Sequence, residues 1–122
     1  MITEFSVDVD TLNLSDSKSL PVIRVRGEID IYTCSELRKT LASTIESSAT
    51  DFLLNLENVQ YIDSTGLGTI AHSAQQIQTN NGQVFIICTK PQIKKIFEVS
   101  GLLSKNISIY ESEDQISVPV EN

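Results

Sequence analysis

The sequence predicts an α/β domain: a mixed, mostly parallel β-sheet with an antiparallel pair of strands at its N-terminus, packed with helices. Three observations carry that reading. Two N-terminal segments alternate apolar and polar residues, as half-buried strands do. Two later segments, Phe52-Leu53-Leu54-Asn55-Leu56 and Val84-Phe85-Ile86-Ile87-Cys88, are almost continuously apolar, as strands covered on both faces are. Elsewhere apolar residues recur at helical spacing, and strands alternating with helices favour a parallel sheet. With 122 residues and 40% hydrophobic composition, the chain is long enough for one core and too short for two, so residues 1–122 are read as a single domain.

Taken in order, Thr3 to Val9 places Phe5, Val7 and Val9 on one side and Glu4, Ser6 and Asp8 on the other, which makes a first strand. Asp10 to Ser19 has no sustained period and reads as a connection, a widened hairpin. Val22 to Ile29 is the second strand, antiparallel to the first, with Ile23 and Val25 opposite Arg24 and Arg26 and with Pro21 at its start, where a missing donor is tolerated. Gly27-Glu28-Ile29-Asp30 ends it. Thr33-x-x-Glu36 then has capping-box spacing ahead of a helix whose stripe is Cys34, Leu37, Leu41 and Ile45, ending between Ser47 and Thr50.

The run Phe52 to Leu56 is expected at a central, parallel position, followed by a turn near Glu57-Asn58. Val59 to Ile62 leads into Asp63-Ser64-Thr65-Gly66-Leu67-Gly68, and Leu67, Ile70, Ala71, Ala74 and Ile77 continue as a helix. Thr65, Thr69, Ser73, Gln75 and Gln76 are assigned to its polar outer face. Asn80-Asn81-Gly82 closes that helix, with Gly82 expected in the left-handed conformation. Val84 to Cys88 is a buried strand, and Pro91 opens a helix carrying Ile93, Ile96 and Phe97 inward until Gly101 stops it. Ile107, Ile109 and Tyr110 suggest a last strand. Ser112-x-x-Gln115 marks a short terminal helix limited by Pro119.

Composition excludes several functions. A net charge of −7 argues against a nucleic-acid or anionic-membrane surface, which would need clustered Lys and Arg. The N-terminus lacks the basic flank and apolar run of a signal peptide, and no stretch approaches the ~20 apolar residues that span a bilayer, so a cytoplasmic location is expected. Cys34 and Cys88 make no disulfide framework and read as reduced, packed thiols. With His72 as the one histidine there is no zinc pattern, so no metal site is assigned.

The chemistry concentrates at Asp63 to Gly68, where a strand gives way to a helix and backbone N–H groups lack intrahelical partners. A catalytic Ser64 would need a base. The lone candidate, His72, stands eight residues on, about 12 Å along the helix axis at ~1.5 Å per residue. Gly66 and Gly68 both follow the serine, unlike the Gly-x-Ser-x-Gly elbow. A phosphate cradle lacks its cation, because no Lys or Arg lies from Ser64 to Gln83. No catalytic residue and no cofactor are therefore assigned. Two readings of the residues stay open: Ser64 is a hydroxyl modified by another protein within a charge-poor docking surface, or Asp63 is simply an N-cap and the glycines are packing devices.

Three motifs in order, Gly27-Glu28-Ile29-Asp30 with Thr33, Asp63 to Gly68, and Pro91 through Val99-Ser100-Gly101-Leu102, resemble the STAS domain of bacterial anti-sigma factor antagonists over about Val22 to Tyr110. The resemblance implies a single STAS-like domain that captures an anti-sigma factor with serine kinase activity and so frees a sigma factor. It implies phosphorylation of Ser64 by that kinase, with Thr65 a secondary candidate, and reversal by a PP2C-type phosphatase. Asp30, Asp63, Ser64, Thr65, Gly66, Leu67, Gly68 and Thr69 would then meet the partner, and ATP would be bound by the kinase. The alternative is a constitutive STAS subunit of a larger assembly, such as a lipid-transport complex or signalling scaffold.

Overall fold

The computed structural model describes residues 4–15, 18–47, 50–103 and 106–117. Among the described residues, five strands and four helices follow one another as β1 (Ser6–Ser15), β2 (Lys18–Ile29), α1 (Cys34–Glu46), β3 (Phe52–Ile62), α2 (Ser64–Gln78), β4 (Val84–Ile87), α3 (Pro91–Ser100), β5 (Ile107–Tyr110) and α4 (Asp114–Ser117). The sheet order is β1-β2-β3-β4-β5, with β1 antiparallel to β2 and every other pair parallel. This is the predicted mixed sheet. Because each parallel crossover steps in the same direction, the right-handed rule places α1, α2 and α3 on one face.

Side-chain alternation sorts the sheet into two apolar layers. Ile23, Leu54 and Ile86 belong to the main core with Leu37 and Leu41 of α1, Ile70 and Ile77 of α2, and Phe97 of α3. The other face carries a smaller cluster, Leu20, Val22, Leu53 and Ile87, against which Phe85, Tyr110 and Ile116 of α4 pack. Phe52 to Leu56 is buried throughout, as a central strand covered on both faces requires.

Several local expectations are corrected. The segment read as a loop, Asp10 to Ser19, continues both strands of the hairpin where it is described, with Thr11 opposite Pro21 and Asn13 opposite Ser19. Cross-strand pairing and the packing of Leu12 and Leu14 on the second cluster override weak strand propensity there. The turn near Glu57-Asn58 is instead a bulge within one continuous strand: Leu56 and Glu57 together oppose Val25, and Gln60 is a second extra residue between Val59 and Tyr61. Asn81, with φ 62°, takes the left-handed position expected of Gly82. Gly82 is needed for space, since a Cβ there would stand 2.0 Å from the Thr50 carbonyl oxygen. Gly101 does end α3 in the left-handed conformation, at φ 78°. The strand start at Thr3 and the stop at Pro119 lie outside the described residues.

Candidate functional site

The ends of β2 and β3 bring the two acid-led turns together. Ile29 pairs with Ile62, and the Asp63 amide donates to the Ile29 carbonyl at 3.1 Å. Asp30 and Ser64 therefore leave neighbouring parallel strands at the same edge, the carboxyl end at which α/β sheets place their sites.

At the β3 end, Asp63 has extended backbone, and its Oδ1 accepts from the Gly66 amide at 3.0 Å. One of the orphan donors at the helix start is thus satisfied, and α2 begins at once with Ser64, which is exposed. Gly66 is buried directly beneath: a Cβ would lie 2.6 Å from Ile29 Cγ2 and 2.9 Å from Ile62 Cγ1. It lets the first turn of α2 sit down on the strand ends. Gly68 differs, for a Cβ there would meet nothing within 4 Å, and it is exposed. Thr65 and Leu67 are half-buried, Leu67 packing on the main core.

The assignment of Thr69 and Ser73 to the outer face of α2 is corrected. They are 8% and 4% exposed, and the Thr69 hydroxyl donates to the Thr65 carbonyl at 3.0 Å. Small polar side chains suit this inward row, because a hydroxyl that bonds back within its own helix can be buried beside a neighbouring element. The exposed row runs through Ser64, Gly68, His72 and Gln75-Gln76. His72, two turns from Ser64 on this row, does not reach it.

At the β2 end the turn is longer. Asp30 Oδ1 accepts from the Tyr32 amide at 2.9 Å and the Thr33 amide at 3.1 Å, and the Cys34 amide donates to the Asp30 carbonyl at 2.8 Å. Thr33 makes no capping bond to α1, contrary to the capping-box expectation. Its hydroxyl donates to the Glu28 carbonyl at 2.7 Å and accepts from the Asp30 amide at 2.9 Å, so it closes the turn. Gly27, at φ 97°, precedes this turn in a conformation that favours glycine.

The structure adds three residues that the sequence reading missed. Ile31 and Tyr32, held outward by the Asp30 turn, are 66% and 87% exposed, and Tyr61, at the end of β3, is 49% exposed. Ile31 and Tyr32 fall outside the apolar stripe of α1, and Tyr61 breaks the alternation beside buried Ile62. Those misplacements are the signal that could have found them. Exposed aromatic groups are enriched at protein-docking surfaces.

Cys34 and Cys88 are free and buried, and burial first of all pushes the Cys88 thiol up. Among the described residues, no three His, Cys, Asp or Glu side chains gather as a metal site, and no helix is long and apolar enough to cross a membrane.

This is a compact α/β fold whose exposed serine opens a helix at the sheet's carboxyl edge, and the chain belongs to the STAS domain family, whose model matches residues 11–116. Among its relatives, the anti-sigma-B factor antagonist of Staphylococcus aureus is 36% identical over 80 residues, covering 66% of this chain and 74% of that protein. That of Staphylococcus epidermidis is 34% identical over the same length. The fold is similar to the crystal structure of an anti-sigma factor antagonist from Mycobacterium paratuberculosis, at TM-score 0.74, 22% identity and 90% coverage of both chains. It is also similar to the phosphorylated form of the Bacillus cell fate determinant SpoIIAA, at TM-score 0.68 and 22% identity, over 91% of this chain and 96% of that one.

Proposed function

We propose that this protein is an anti-sigma factor antagonist gated by phosphorylation on Ser64. Unmodified, it captures an anti-sigma factor that is also a serine kinase, and a sigma factor is released; phosphorylated, it lets go until a PP2C-type phosphatase restores the hydroxyl. It works in the cytoplasm through protein contacts and needs no cofactor of its own. The observation that carries the reading is the exposed Ser64 at the first position of α2, beside the exposed apolar residues of the Asp30 turn and Tyr61. The names of the Staphylococcus relatives support the role. Asp30, Asp63, Ser64, Leu67 and Gly68 are proposed to face the partner. Thr65 is a secondary acceptor, while Gly66 and Thr69 shape the surface from below.

The physics of the switch is a difference between two energies. A phosphate at a helix N-terminus gains only ~0.3–1 kcal/mol from the dipole, so the fold survives it. A charge left unpaired in an interface costs ~2–5 kcal/mol, roughly 30- to 4000-fold in affinity.

The test incubates the protein with candidate anti-sigma kinases and ATP and maps the product by mass spectrometry. Phosphate on wild type and none on Ser64→Ala is the expected result. Equal labelling of Ser64→Ala would remove Ser64 as the acceptor, and transfer of the label to Thr65 would move the switch by one residue. Capture that is indifferent to Ser64→Asp would favour a constitutive subunit.

A further inference from the structure

A second polar cluster lies on the opposite face of the sheet. Asn55 sits in the middle strand at 6% exposure, an expensive place for an amide unless it is fully used. Its Oδ1 accepts from the Glu57 amide at 2.9 Å, and its Nδ2 donates to Glu57 Oε1 at 3.1 Å and to Glu113 Oε2 at 2.8 Å. Lys90 Nζ donates to the Glu57 carbonyl. Glu57 is one of the two residues in the first bulge, so its main-chain donor and acceptor are each caught by a side chain.

Glu113 comes from the segment between β5 and α4. Its carboxylate also takes two bonds from Arg24, at 3.0 and 3.1 Å, and Arg24 in turn bonds Asp10 at 2.7 Å. This one carboxylate thereby ties the end of the described chain to β2 and β3, and through Arg24 to β1. Beyond the bulge, β3 has outrun β4, whose last registered pair is Ile87 with Asn55. Val59 to Ile62 are held in the sheet by β2 and then deliver Asp63 and Ser64.

We propose that Asn55, Lys90 and Glu113 are positioning residues for Ser64: together they fix the bulge at Glu57, and so couple the C-terminal segment on one face of the sheet to the docking end. The effect on partner capture rests on the function proposed above; the effect on the strand does not.

The test is peptide-resolved hydrogen exchange on the full-length protein, comparing wild type with Glu113→Ala, Glu113→Gln and Asn55→Leu. Coupling energies of this kind correspond to roughly 3- to 30-fold changes. Exchange in residues 57–66 is expected to quicken by that factor in Glu113→Ala and to return toward wild type in Glu113→Gln, which keeps an acceptor for Asn55. Asn55→Leu should act at least as strongly. Glu113 is partly exposed and its replacement leaves the core intact, so the inference remains testable if Asn55→Leu does not fold. Changes confined to residues 111–117 would overturn it. Capture of the anti-sigma kinase should weaken by a similar factor in Glu113→Ala. If wild type captures no such kinase, the function proposed above fails, while the exchange result still decides the coupling.

Discussion

The turns leaving β2 and β3 start alike and finish differently. Each opens with an aspartate whose Oδ1 gathers backbone amides at the same edge of the sheet. Asp63 takes one amide three residues ahead, and the helix starts immediately with Ser64. Asp30 takes two amides, Thr33 locks the turn, and α1 is delayed to Cys34. The short turn presents a hydroxyl; the long one presents Ile31 and Tyr32. What differs is how many donors the acid absorbs before the helix takes over, and that decides which side chain faces outward.

The two turns are most severely disturbed by a change at Gly66. Replacing it with Ala drives a Cβ into Ile29 and Ile62, both buried branched side chains, and the overlap outweighs the helix-propensity gain of ~1 kcal/mol. A net loss of about 1–3 kcal/mol is expected from denaturant unfolding. Stability equal to wild type would show that the strand ends give way freely.

Next come the apolar residues of the long turn. Tyr32→Ala should leave stability within about 0.5 kcal/mol, because the ring is almost fully exposed, yet weaken partner capture about tenfold or more if it is an interface anchor. Binding titrations on the same preparation as the melting curve separate the two. Unchanged affinity would place the contact surface elsewhere.

Removing the acids comes third. Asp63→Ala should cost about 1 kcal/mol as a lost N-cap, and Asp30→Ala a comparable amount spread over two amides. Asp63→Asn, which keeps an acceptor, should recover most of the loss in the unfolding midpoint. The smallest effect belongs to Gly68→Ala, which should stabilise the protein by up to ~1 kcal/mol because its Cβ meets only open space. Weaker capture despite the higher midpoint would mark Gly68 as a point of close approach.

Much of this was legible in the sequence, for reasons tied to particular residues. The unbroken run Phe52 to Leu56 can be satisfied only in the middle of a sheet, and the Asp63 cap follows from its place before an apolar period. Less legible were features fixed by particular side-chain partners and by packing that periodicity does not show. Glu57 looked like a turn because the side chains that hold its backbone come from Asn55 and Lys90, the latter across β4. Thr69 and Ser73 looked exposed because a hydroxyl's burial depends on what packs over it, and Thr33 looked like a cap until Glu28 and Asp30 claimed its hydroxyl.

The order of the strands carries a consequence for how the molecule is made. In β1-β2-β3-β4-β5 each strand lies beside the one synthesised just before it. A nascent chain can therefore extend its sheet one strand at a time, with every new strand meeting an edge already formed and none waiting for a later partner. The clasp of Glu113 on Asn55 and Arg24 is the exception: it joins residues far apart in the chain and closes only once the segment after β5 has been made. The contact that Glu113 makes at the β3 bulge is thus formed after the strands on either side of it.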